Sequence, residues 1–250
     1  MTTPSPDPLV AAEGEAAAGE AGPADLPAQA ANPAAEPAAH PSAQAGAEST
    51  PLTAPPLRKR PKPGERRVQI LQTLASMLQQ PGADRVTTAA LAARLDVSEA
   101  ALYRHFASKA QMFEALIEFS EQSVFTLVNQ IAEREAGSTA QVAKMLTVLL
   151  QFGEKNPGMA RVMVGDALVF ENERLLQRMN QFFDRIESQL RQGLRATAEA
   201  AGSATPTVDA NVQASVLTAF ALGRLQRFAR SGFKRSPTEH LDLALSLLVP

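Results

Sequence analysis

The residues best suited to surface chemistry in this chain are Tyr103, Arg104, His105 and Lys109, which fall within seven consecutive positions. A phenol, a guanidinium, an imidazole and an ammonium can all donate hydrogen bonds. Gathered on one short segment, they suit a partner that repeats anionic acceptor oxygens, as a nucleic-acid backbone does. Nothing beside them suggests covalent or acid–base catalysis. His40, His105 and His240 lack matching carboxylate spacing, the chain has no Cys, and no Gly-rich phosphate loop occurs. The sequence therefore predicts no enzyme activity, no catalytic residue, no metal site and no cofactor.

The stretch TTAALAARLDVSEAALYRHFASK, residues 87 to 109, shows how those side chains would be held. Thr87 or Thr88 can cap a helix, because a hydroxyl accepts from an otherwise orphaned N–H in the first turn. Leu91, Ala92 and Leu95 recur at helical spacing and would face inward. Asp96 falls where the chain must turn sharply, in a left-handed conformation that Asp tolerates better than most residues. Val97 would fill the gap between two helices. Ser98 would cap the second helix, with Glu99 favourably placed at its positive end. Leu102 and Phe106, four apart, would share the inner face. Ala100, Tyr103 and Arg104 would then point outward on a small, aromatic and basic surface. Two short helices joined this way, the second able to enter a major groove, form a helix-turn-helix over 87–106. The bland alternative is a helical hairpin with no partner.

The order Thr, Leu-Ala, Val-Ser, then Leu102-Tyr103-x-His105-Phe106-x-x-Lys109 resembles the TetR-type transcriptional regulators. Asp96 is a departure, since that family usually has Gly there. The runs 97–119 (VSEAALYRHFASKAQMFEALIEF) and 152–192 resemble, more narrowly, the nucleoid occlusion factors of proteobacteria. The likeness extends over about 65 to 237. It implies an all-α fold with an N-terminal three-helix helix-turn-helix head and a C-terminal helical dimerisation domain. It also implies a homodimer on palindromic double-stranded DNA. Thr87, Ser98, Tyr103 and Lys109 would mostly meet phosphate, and Thr88 belongs to the same DNA-contacting set. Glu99, Ala100 and Arg104 would lie near base edges, where an outward Ala suits a thymine methyl and Arg suits guanine. His105 would be a structural or phosphate donor as readily as a base reader.

Charge agrees with this division. Residues 1–56 carry seven acidic and no basic side chains, residues 57–111 ten basic against four acidic, and residues 112–250 fourteen basic against fifteen acidic. A basic segment on a near-neutral body is the footprint of a nucleic-acid reader. Residues 1–56, with 18 Ala, 11 Pro and no aromatic residue, read as a disordered tail; the alternative is a tether or decoy for the basic face. Residues 57–63 read as a basic arm able to touch phosphate or enter a minor groove, or else as a solvated linker. No apolar run approaches the ~18 residues of a membrane span, and no secretory signal precedes the domain. The expected compartment is the cytoplasm, on the nucleoid.

Domain boundaries follow at 64–110 for the helix-turn-helix domain and 111–240 for the dimerisation and partner-binding domain. The first helix spans about 64–80, with Val68, Leu71, Leu74, Ala75 and Leu78 inward and Pro81-Gly82 as its stop. Helix four, capped by Ser108, runs to about 135 on Met112, Phe113, Leu116, Ile117, Val124, Leu127, Val128 and Ile131. Helices follow at 139–155 and 158–169, broken by Asn156-Pro157-Gly158. The last two, 171–200 and 208–231, would pair with their symmetry mates in a four-helix bundle. Val212, Val216, Phe220, Leu225 and Phe228 form the apolar stripe of the last. The narrower resemblance implies a protein partner, the cell-division GTPase FtsZ, met through Phe119, Lys155 and Asn156. A basic side chain would be expected near 127 on that surface, where this chain has Leu127-Val128. The alternative use of the body is a small-molecule pocket that releases a repressor from DNA.

Overall fold

The computed structural model describes residues 64–80, 85–135 and 138–249. The expectations for the 1–56 tail, the 57–63 arm and the Pro81-Gly82 stop lie outside the described residues. Among these residues the chain forms α1 (Glu65–Leu78), α2 (Thr88–Leu95), α3 (Glu99–Tyr103), α4 (Lys109–Arg134), α5 (Thr139–Lys155), α6 (Pro157–Met163), α7 (Glu173–Ala200), α8 (Pro206–Arg230) and α9 (Leu241–Leu248), with no strand. A 3-10 turn, Asp166–Leu168, joins α6 to α7.

α1 closes the head over α2 and α3 by burying Ile70, Leu74 and Leu78. Val68, expected inward, is exposed. It lies two positions before Ile70, about 200° around the helix, so the four-residue repeat from Ile70 excludes it. α4 leaves the head and becomes the spine of the body. Its stripe of Met112, Phe113, Leu116, Ile117, Val124 and Val128 is buried, joined by Phe125, whereas Leu127 is 47% exposed.

Pair contacts fix the direction of each body helix. α5 runs antiparallel to α4: Lys144 meets Glu135 at one end, and the rings of Phe119 and Phe152 lie 6.0 Å apart towards the other. α7 runs parallel to α4, tied by Lys109–Glu171, Arg174–Glu114 (2.6 Å) and Arg178–Glu121 (2.6 Å). The hydrogen bond to Glu121 raises the Arg178 pKa above its ordinary value, against a smaller opposing effect of burial. α8 returns along α7, so that Leu225 comes to rest against Gly153. The head and the body meet where α6 crosses α1. A β-carbon at Gly158 would stand 2.1 Å from the carbonyl oxygen of Ala75, an approach only Gly permits.

Three boundaries differ from the sequence-based expectation. Pro157 begins α6 instead of lying in a turn, because the first helical position needs no N–H. That helix ends at Met163, and Gly165 at φ 82° turns the chain into the 3-10 segment, so 158–169 is not one helix. The body also continues past 240: His240, at φ 50°, starts α9, which buries Leu241 and Leu245. On α8 the expected stripe is divided. Leu225 and Phe228 are buried, but Val212 and Val216 are 61% and 51% exposed, and the inner face is made of Ala210, Ala214, Leu217, Thr218 and Ala221.

Candidate nucleic-acid interface

Local hydrogen bonds build the helix-turn-helix. Thr87 accepts from the N–H of Ala90 (3.1 Å), and Ser98 from that of Ala101 (3.2 Å). Each such cap contributes about 1 kcal/mol. Between them Asp96 adopts φ 55° and ψ 52°, the left-handed turn expected of it. Val97 is half-buried against the core, and Leu102 and Phe106 are buried. The Thr88 hydroxyl donates to the Glu99 carboxylate at 2.6 Å, which pins the start of α2 to the start of α3. These two residues, both expected to contact DNA and Glu99 near a base edge, are thus engaged with each other.

α3 is shorter than expected. It ends at Tyr103, and Arg104 and His105 follow in a tight turn that delivers Phe106 to the core. Ala100, Tyr103, Arg104 and His105 are all exposed, so the outward surface is as drawn from the sequence. One residue that builds it was missed. Arg67 of α1 donates to the His105 carbonyl (2.9 Å) and stacks 4.0 Å over the Phe106 ring. That contact spans 38 positions, and nothing in local spacing signals it. It also means that Arg67, counted with the basic excess of the head, is engaged in holding α3.

Lys109 differs from the rest. Its ammonium pairs with Glu171, at the entrance to α7, and lies 5.6 Å from the centre of the Phe113 ring. A phosphate contact from Lys109 requires exchange of that carboxylate for the phosphate oxygen.

The second set of candidates lies on α4 and at the end of α5. Phe119 on α4 is 48% exposed, beside Phe152 on α5. Lys155 ends α5 and is exposed, and the Asn156 side chain donates to the Phe152 carbonyl (2.9 Å). Phe152 links Phe119 to Asn156 and was not singled out in the sequence, because it reads as one more apolar residue on α5. The exposed Leu127 stands on α4 two turns beyond Phe119. The opposite flank of α4 is a groove towards α7, lined by Glu118, Glu121, Phe125, Arg178 and Arg185.

A family model described as bacterial regulatory proteins, tetR family, matches residues 70–116, and one described as a tetracyclin repressor-like C-terminal domain matches 137–250. Nucleoid occlusion factor SlmA of Aliivibrio fischeri (strain MJ11) is 50% identical over 189 residues, 75% of this chain and 96% of that protein. The chain belongs to the SlmA family of nucleoid occlusion factors. The protein of the same name from Enterobacter sp. (strain 638) is 51% identical over 178 residues, 71% of this chain and 89% of its own length. Among solved structures, the MbdR regulator from Azoarcus sp. CIB superposes with a TM-score of 0.60 at 18% identity, over 73% of this chain and 97% of that one. That likeness concerns the fold alone. The SlmA-family assignment thus covers both the head and the body, and it joins this body to a DNA-reading head of the TetR type.

Proposed function

We propose that this protein, as a homodimer on chromosomal palindromes, antagonises FtsZ assembly and so blocks septum formation over the nucleoid in the cytoplasm. Its role is regulatory, with DNA serving as the locator. The observation that carries this reading is the exposed Phe119 ring beside Phe152, with Asn156 bonded back to the Phe152 carbonyl and Lys155 exposed at the end of α5, on a chain whose relatives are nucleoid occlusion factors. A half-exposed Phe flanked by Glu118 and Ser120 gains little inside a solitary chain, whereas an exposed aromatic residue makes an anchor for a partner peptide. Lys155, exposed at the end of α5, adds a cation to that surface, and the exposed Leu127 stands where a basic residue was anticipated.

Tyr103, Arg104, His105 and Ala100 form the DNA-reading surface, Thr87 and Ser98 fix its register, and Lys109 joins it by leaving Glu171. The dimer forms along α8, whose second face carries Val208, Val212 and Val216 in the open. Such a dimer sets two recognition helices about 34 to 36 Å apart, one turn of DNA.

Co-sedimentation with FtsZ polymers, with and without palindromic DNA, tests the reading. Phe119→Ala, Lys155→Ala and Asn156→Ala are each expected to weaken co-sedimentation while DNA affinity stays unchanged. If all three are silent, this face of α4 and α5 is not the partner surface.

A further inference from the structure

The body holds a concentration of positive charge that its overall balance conceals. Residues 224–235 carry five basic side chains, Arg224, Arg227, Arg230, Lys234 and Arg235, and no acidic one. The rest of 112–250 is left with nine basic against fifteen acidic. The basic excess is therefore not confined to the head.

Local structure presents this charge outward. Arg224 is engaged within the fold: it donates to the carbonyls of Pro237 (3.0 Å) and Glu239 (2.6 Å) and lies over the Phe220 ring. Arg227 and Arg230 occupy the last turn of α8 and are exposed. Beyond the helix, the Ser231 hydroxyl accepts from the N–H groups of both Lys234 and Arg235 (3.1 and 2.9 Å). Phe233 takes φ 65°, unusual for a bulky residue, and its ring packs edge-on to Phe228 at 5.2 Å. The turn is thus held in one conformation, with Lys234 and Arg235 exposed on it. The nearby carboxylate of Glu154 is engaged by Ser236 and Thr238. Among the described residues, no acidic side chain pairs with Arg227, Arg230, Lys234 or Arg235.

Basic residues in a last helical turn complement the helix dipole, which accounts for Arg227 and Arg230 alone. Lys234 and Arg235 lie past the helix and gain nothing from it. Arg227, Lys234 and Arg235 line an open groove of about 910 Å³ between α8 and residues 234–240, shared with Phe220, Gly223, Glu239 and His240, and Arg230 follows Arg227 three positions on along α8.

Position decides the partner. Leu225 lies at the level of Gly153, and Phe152 at the level of Phe119, in the head-side half of α4. α6, which touches α8, crosses α1 of the head. The basic end of α8 is therefore its DNA-facing end. Along the face that carries Val208, Val212 and Val216, the ridge continues through Ala219 and Gly223 and turns basic at Arg227 and Arg230 (i, i+4, i+7 spacing). Two copies meeting along that ridge bring these cations together at one end of the two-fold axis, between the two recognition helices.

We propose that Arg227, Arg230, Lys234 and Arg235 of both copies form a second phosphate-binding surface, which grips the duplex backbone between the two half-sites. It rests on the dimer and DNA reading above. A palindromic duplex selected from a random pool by the full chain is the probe. Failure of the wild-type chain to dimerise or to select a palindrome would overturn the underlying reading before any variant is made. Given that duplex, the variant Arg227→Ser/Arg230→Ser/Lys234→Ser/Arg235→Ser is compared with wild type by titration over a range of salt. Affinity is expected to fall at least tenfold near 0.1 M salt. The slope of log affinity against log salt should become shallower by about 1.8 for each residue engaged from both copies, at ~0.9 per phosphate. Preference for the palindrome over a scrambled duplex should persist, and sedimentation should still give a dimer. An unchanged slope, or a variant that becomes monomeric, overturns the proposal. Arg230→Lys in the wild-type background, which keeps charge, should retain the wild-type slope.

Discussion

α7 and α8 are neighbours of similar length, 28 and 25 residues, packed antiparallel, yet they divide their apolar residues in opposite ways. α7 is one-sided. Leu175, Met179, Phe182, Phe183, Ile186, Leu190 and Leu194 are buried on one face, and of its large apolar residues only Leu176 is exposed. α8 is two-sided. It buries small residues, Ala210, Ala214 and Ala221 with Leu217 and Leu225, and keeps Val208, Val212 and Val216 outside. A helix that only fills a core has no reason to hold its β-branched residues in water. Alanines on the inner face let α8 lie close to its own chain, while the valines remain for another. The contrast separates a helix whose apolar surface is spent inside the protomer from one that keeps a second apolar face, the face on which the proposed dimer would form.

The strongest way to break this contrast is to place charge on the outer ridge of α8. Val212→Glu with Val216→Glu should leave the protomer folded and monomeric, measured by sedimentation and circular dichroism. Because one DNA contact then no longer raises the effective concentration of the other, affinity for a palindrome should fall on the order of 10²- to 10⁴-fold. A dimer that persists would show that the exposed face of α8 is idle.

The core side of the contrast is tested on α7. Phe182 is fully buried and stands edge-on to both Phe125 (5.3 Å) and Phe183 (5.2 Å). Phe182→Ala should cost about 3–5 kcal/mol in urea unfolding, from lost burial and the cavity left behind. Leu176→Ser, one turn and a half earlier on the exposed side, should change stability by less than about 0.5 kcal/mol. Equal effects at the two positions would mean that α7 is not one-sided.

The same pair of helices explains what the sequence made legible. On α7 Leu175, Met179, Phe182, Phe183, Ile186, Leu190 and Leu194 recur at helical spacing and are buried, so periodicity and burial agree, Leu176 excepted. On α8 two apolar faces share one helix, and hydrophobicity alone assigned the valines to the inside because alanines look less apolar. The head was legible for a different reason. Thr87, Asp96, Ser98 and Ser108 act within three or four residues of themselves, and each is where local physics puts it. Contacts that join distant segments were not legible. Arg67 with His105, Lys109 with Glu171, and Phe119 with Phe152 depend on how the helices cross. The short helix α9 was missed because the eight residues after His240 lie beyond a left-handed turn that a non-Gly residue rarely makes.

The smallest effects give the sharpest form of the comparison, since each helix carries a Gly near its middle or end. Gly in a helix interior is less favourable than Ala by about 0.8–1.0 kcal/mol. On α7, a β-carbon at Gly193 would lie 2.9 Å from Oε1 of Gln141 and 3.1 Å from a methyl of Val142, both buried side chains of α5. Crowding of that kind costs roughly 1–3 kcal/mol, so Gly193→Ala should be destabilising on balance by about 1 kcal/mol. On α8, a β-carbon at Gly223 meets nothing within 4 Å in the protomer. In a chain made monomeric by Val212→Glu and Val216→Glu, Gly223→Ala should therefore stabilise by up to about 1 kcal/mol. In the wild-type dimer the sign should reverse or the gain vanish, because Gly223 follows Ala219 along the ridge where a second copy approaches. If Gly223→Ala stabilises both backgrounds equally, the dimer contact stops short of residue 223, and only the valine half of α8 is two-sided.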